Sequence, residues 1–110
     1  MTLQTEQNVN ESSECFVTAT FYDQNGNLYT PTALQYRLDC LDDNTQILGW
    51  TSLTPSGSSY TVTITATQNA MVNPKRTTER RQIIFKVTPP GSTGRYDRTT
   101  YNLINIVGVP

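Results

Sequence analysis

The sequence contains no histidine, which removes the commonest general base and metal ligand near neutral pH. Cysteine is almost as scarce. Cys15 and Cys40 are too few for a disulfide scaffold and lack the C-x-x-C spacing of a zinc or redox site. Purely apolar runs stop at three residues, as at Ile83-Ile84-Phe85, so no membrane-spanning helix is expected. The first residues, Met1-Thr2-Leu3-Gln4-Thr5-Glu6, show neither the basic nor the apolar segment of a secretory signal, and none is expected. Nucleophilic catalysis needs a nucleophile beside a base. Neither cysteine has a histidine partner, and no Gly-x-Ser-x-Gly elbow, phosphate-binding Gly-Lys-[Ser/Thr] or Asp-rich calcium loop occurs. Asp39, Asp42 and Asp43 cluster where a hairpin turn is expected, and Asp is favoured there for turn geometry alone. The reading is of a protein without enzymatic activity, metal or cofactor.

What is present in excess is threonine, nineteen of 110 residues. Threonine is β-branched and half-polar, so it suits the wet face of a strand. The length allows one domain with a single modest core. Formal net charge is only -1, but the charges are not evenly spread. Residues 1–50 hold seven acids and one base, net -6; residues 51–110 hold seven bases and two acids, net +5. Either the halves neutralise each other in the fold or the polarity marks an interaction surface.

Residues 1–14 are polar and acidic, with Leu3 and Val9 apolar, and read as a flexible arm ahead of a domain over 15–110. Residues 15–22 alternate strictly, Cys15, Val17, Ala19 and Phe21 against Phe16, Thr18, Thr20 and Tyr22, which is the period of a strand. Asn25-Gly26 is a hairpin signal, because both residues tolerate positive φ. Residues 33–40 alternate again, with Leu34, Tyr36, Leu38 and Cys40 on one face. A strand over 45–48 is expected to break at Gly49 and resume over 50–53, with Trp50 filling the core. Residues 60–67 set Tyr60, Val62, Ile64 and Ala66 against four threonines. One helical turn is expected over 68–73, capped by Thr67. Ile83, Phe85 and Val87 share a face in 81–87, and a last strand spans 98–107.

Six to eight short strands separated by regular turn signals predict an all-β, antiparallel two-sheet sandwich of the immunoglobulin or fibronectin type III kind. A Greek-key barrel is the alternative. If strands 15–22 and 33–40 are neighbours, Cys15 and Cys40 meet at one end, as a disulfide or as two buried thiols.

The basic residues supply the candidate site. Arg76, Arg80, Arg81, Arg95, Tyr96 and Arg98 are residue types that dominate protein interfaces. Arg80 and Arg81 are adjacent, so on a strand only one can serve a given surface. The negative total and the acidic arm argue against nucleic acid as the partner. A second class is a carbohydrate- or host-surface-binding module, for which Phe16, Tyr22, Tyr29, Tyr96 and Tyr101 are candidate aromatics.

Several segments occur in a familiar order. They are Val17-Thr18-Ala19-Thr20-Phe21-Tyr22-Asp23, Asn25-Gly26-Asn27, Thr30-Pro31-Thr32, Tyr36-Arg37-Leu38-Asp39, Trp50-Thr51-Ser52-Leu53-Thr54-Pro55-Ser56, Thr63-Ile64-Thr65, Gln68-Asn69-Ala70 and Glu79-Arg80-Arg81. This run, over about residues 16–107, resembles small virion proteins encoded among the head and neck genes of tailed bacteriophages. The resemblance implies an immunoglobulin-like structural protein of the virion, assembled in the host cytoplasm. It would be a capsid cement or decoration protein, or a head–tail adaptor, neck or tail component. Its partners would be the major capsid protein or other virion proteins, with self-association as a further option. The resemblance carries over no catalytic or ligand residue.

Overall fold

The computed structural model describes residues 1–106. Eight strands run in chain order: β1 Thr2–Thr5, β2 Asn8–Asn10, β3 Cys15–Thr20, β4 Ala33–Cys40, β5 Thr45–Leu53, β6 Ser59–Ile64, β7 Thr78–Thr88 and β8 Arg95–Ile104. The described residues contain no helix. One sheet has the order β1-β3-β6 and the other β2-β8-β7-β4-β5. All pairings are antiparallel except β2 with β8, which is parallel. The molecule is a β-sandwich, and period-2 alternation explains it. Each strand sends one set of side chains between the sheets and the other to solvent.

The core is the inward set. Cys15, Val17, Ala19, Val62 and Ile64 from the smaller sheet meet Leu34, Tyr36, Leu38, Ile83, Phe85, Val87, Tyr101 and Leu103 from the larger. Burying each large aliphatic or aromatic side chain contributes roughly 1.5–3 kcal/mol. The turn after β3 forms where Asn25-Gly26 marks it, with Gly26 at φ 81°. The Asp23 carboxylate accepts the N–H groups of Asn25 and Asn27, each at 2.9 Å.

Residues 1–14, read as a flexible arm, supply a strand to each sheet instead. β1 lies antiparallel beside β3, and β2 lies parallel beside β8, with Val9 in the core. Backbone pairing on a sheet edge needs little apolar sequence, so composition alone pointed away from strands. β3 and β4 are not neighbours. They lie in different sheets, and both cysteines are free buried thiols.

β5 is continuous through Gly49. Its register against β4 shifts on both sides of the Leu38–Leu48 pair, so the expected break is an irregularity within a strand. β6 ends at Ile64, so Thr61 and Thr63 are strand residues whereas Thr65 and Thr67 are not. Thr65 and Gln68 form a reciprocal cap: Gln68 N donates to Thr65 Oγ1 at 3.2 Å, and Thr65 N donates to Gln68 Oε1 at 2.9 Å. The expected helical turn is therefore a hydrogen-bonded turn that starts earlier, capped by Thr65 and not Thr67. β8 begins at Arg95 and ends at Ile104; Val107, expected to close the last strand, lies outside the described residues.

Candidate binding surface

Alternation that buries one face of the five-stranded sheet commits the other to solvent. On that outer face the β4–β7–β8 register sets Arg37 beside Ile84 and Ile84 beside Arg98. The next row sets Gln35 beside Lys86 and Lys86 beside Tyr96. Trp50 reaches the same face from β5. Its ring packs edge-on against that of Tyr96, with centroids 6.0 Å apart and planes at 60°. Two strands, β4 and β7, separate their backbones, so the rings lean toward each other across the sheet. Trp50 is 43% exposed and Tyr96 63%.

Cations support both rings. The Arg37 guanidinium carbon lies 5.7 Å from the Trp50 ring centre, and Lys86 Nζ lies 5.7 Å from that of Tyr96. Asp39 fixes Arg37 through paired hydrogen bonds, Nε to Oδ2 at 3.0 Å and Nη2 to Oδ1 at 2.8 Å. An open groove of about 520 Å³ is lined by Trp50, Ile84, Tyr96, Asp97 and Arg98. A neighbouring groove of about 450 Å³ is lined by Arg80, Arg98, Gln82, Leu41, Thr99 and Thr100. An apolar centre of Trp, Tyr and Ile rimmed by arginine and lysine is the anatomy of a binding patch.

The six residues proposed from sequence divide. Tyr96, Arg98 and Arg80 lie along this face. Arg95 turns to a different groove, of about 340 Å³, beside Tyr29, Pro89 and Pro90. Arg76 is engaged at the β4–β5 turn, where both of its terminal nitrogens donate to the Asp43 carboxylate. That neighbour holds the Asp43 carboxyl below its ordinary range. Asp42 accepts the Arg80 backbone N–H at 2.9 Å, and the Arg76–Asp43 pair joins a base of the second half of the chain to an acid of the first.

Arg81 is not an interface residue. It is fully buried, on the inward face of β7, 2.9 Å from Glu79, which is also fully buried. Arg81 also donates to the carbonyls of Gln68 and Ala70, each at 2.7 Å. Glu79 accepts the N–H groups of Val72 and Asn73 at 3.1 and 2.7 Å. Burial pushes the Glu79 carboxyl up, but those two N–H groups and Arg81 outweigh it and hold it below its ordinary value. Cys40, Asp43 and Glu79 bring ligand atoms within 4.8 Å of one another. Both carboxylates already face guanidinium groups, so the cluster is an ion-pair network that ties the β4–β5 turn to the segment before β7.

Among the aromatics proposed for ligand contact, Tyr101 is buried and donates to Asn69 Oδ1 at 2.6 Å. Phe16 is exposed on β3 of the smaller sheet, Tyr22 is exposed beyond β3 in an isolated bridge to Leu28, and Tyr29 packs against Phe21. Trp50, Ile84, Arg37 and Lys86 were not singled out from sequence as site residues. A signal for Trp50 did exist. Counting back in twos from the half-buried Leu53 puts Thr51 inward and both Ser52 and Trp50 outward. No protein-family model matches the sequence, and no curated protein matches it significantly.

Proposed function

We propose that this chain is a non-enzymatic virion structural protein of the cement or decoration type, whose work is to bind other proteins. The observation that carries the binding role is the exposed Trp50–Tyr96 pair, flanked by Arg37, Lys86 and Arg98 on the outer face of the five-stranded sheet. A large aromatic held half out of water by cations is costly to leave idle and contributes strongly when a partner covers it. The strand arrangement supports an immunoglobulin-like sandwich: the first two strands divide between the sheets, and β2 joins the last strand in parallel. The order of sequence segments supports the virion reading, with a head–tail adaptor or other neck or tail component as its alternative.

The mechanism is associative. The sandwich spans neighbouring shell subunits and resists their separation, and many copies make weak contacts sufficient. Adding the protein to purified shells is expected to raise their resistance to heat and denaturant. Trp50→Ala is expected to weaken binding about 30-fold, the effect of losing a hot-spot residue worth roughly 2 kcal/mol. Folding should lose only about 1 kcal/mol, the order of an aromatic contact. Shells that gain no resilience would end the cement reading. Unchanged affinity of Trp50→Ala would move the interface off this face. A carbohydrate-binding reading rests on the same aromatic pair, and titration with oligosaccharides, followed by Trp50 fluorescence, separates the two.

A further inference from the structure

We infer that residues 1–10 are an exchangeable element, docking onto a second copy of this chain in the place they occupy on their own. β1 and β2 together antiparallel-pair and parallel-pair the outermost positions of the two sheets, so undocking them bares β3 on one side and β8 on the other. Bare edges are templates for the same segment from another molecule. The segment is held mainly by backbone pairing. β1 and β2 are only four and three residues long, and Val9 is their one fully buried apolar side chain. Met1 and Leu3 are partly buried against the core.

The link to the rest of the domain, residues 11–14, opens with a turn at Glu11 and Ser12. Ser12 there adopts φ 54°, in the left-handed region that a residue with a Cβ seldom occupies. Opening this turn would run β1 and β2 straight into β3 and let Ser12 return to an extended conformation. Two opened copies, related by a two-fold axis, re-form every β1–β3 and β2–β8 contact between chains. Only the turn changes: opening it gives up the Ser12 N–H to Asn69 carbonyl bond and the Asn69 amide to Ser13 carbonyl bond, each 2.7 Å, and relieves the strained residue, while the strand pairing is kept. The polar composition of 1–14, which made an arm the sequence reading, is what keeps the undocked segment soluble.

The test uses the full chain with Gln4→Cys and Thr18→Cys, positions opposite each other in the β1–β3 register. At high protein concentration under mild oxidation, exchange yields covalent dimers on a non-reducing denaturing gel, well above those of the Gln4→Cys single variant. Bridges formed only within monomers, at every concentration, would overturn the inference. Adding Ser12→Gly removes the strain of the closed turn. It is expected to lower the dimer fraction about fivefold, and a fraction that does not fall counts against the hinge and the inference with it. The readout is independent of the Trp50 face, so it stands or falls separately from the proposed function.

Discussion

Arg81→Met should reduce the free energy of unfolding by about 3–5 kcal/mol, because it takes the one buried cation from the buried Glu79 carboxylate and leaves only the partly exposed Arg76, 3.7 Å away. That is a large fraction of the 5–15 kcal/mol typical of a domain. Glu79 would retain the Val72 and Asn73 N–H groups, which moderate the loss without cancelling it. Urea titration of the two proteins at neutral pH measures the difference. The double variant Arg81→Met with Glu79→Gln is expected to recover part of the stability, since no charge is then left in the core.

The pH dependence follows from the same pair. In the native protein Glu79 titrates below its unfolded value, so its stabilising contribution is complete above the unfolded pKa. That contribution is lost as pH falls through the folded pKa. In Arg81→Met the carboxyl loses one of the groups that hold it down, while the Val72 and Asn73 N–H groups and Arg76, 3.7 Å away, remain. Parallel acid titrations of wild type and variant should show a shallower loss of stability in the variant as pH falls. Equal slopes would mean that Glu79 is not the group responsible.

Asn69→Ala is expected to rank next. The Asn69 amide nitrogen donates to the Ser13 carbonyl at 2.7 Å and to Cys15 Sγ at 3.4 Å, while its oxygen accepts the Tyr101 hydroxyl at 2.6 Å. Truncation orphans the buried Tyr101 hydroxyl and the Ser13 carbonyl at about 1–3 kcal/mol each. The network also bears on Cys15. Burial raises its thiol pKa, against the hydrogen bond from Asn69, so the thiol stays protonated and inert in the native state. In Asn69→Ala, thiol labelling of Cys15 under native conditions should accelerate along with global unfolding. Retention of wild-type stability would show that the cavity admits water to replace the amide.

Much of the fold is readable from alternation. The inward sets of β3, β4 and β7 are the residues that period 2 selects, and the turn at Asn25-Gly26 follows from backbone conformation. Less of the site is readable. Tyr96 and Arg98 were found by residue type, but Trp50 was assigned to the core because a lone tryptophan usually fills one. Arg81 shows the converse error. Its charge suggested a surface, yet it lies in phase with Ile83, Phe85 and Val87, and phase outweighed polarity because Glu79 was in phase as well.

The near absence of chemistry-bearing residue types is a property of the sequence alone. Without histidine, and with two isolated cysteines, the sequence holds few of the residue types that nucleophilic catalysis and metal binding use. Alternation likewise determined that it would be all strand and two-faced. Which strands became neighbours was decided by the tertiary structure, because period 2 says which way a side chain points and nothing about what it meets. The β4–β7 neighbourhood within the five-stranded sheet joined Asp43 to Arg76, an ion pair between the acidic and basic halves of the chain. The tertiary structure also put Cys15 and Cys40 in different sheets, placed residues 1–10 on both sheets, and brought Trp50 and Tyr96 together across the two strands between them.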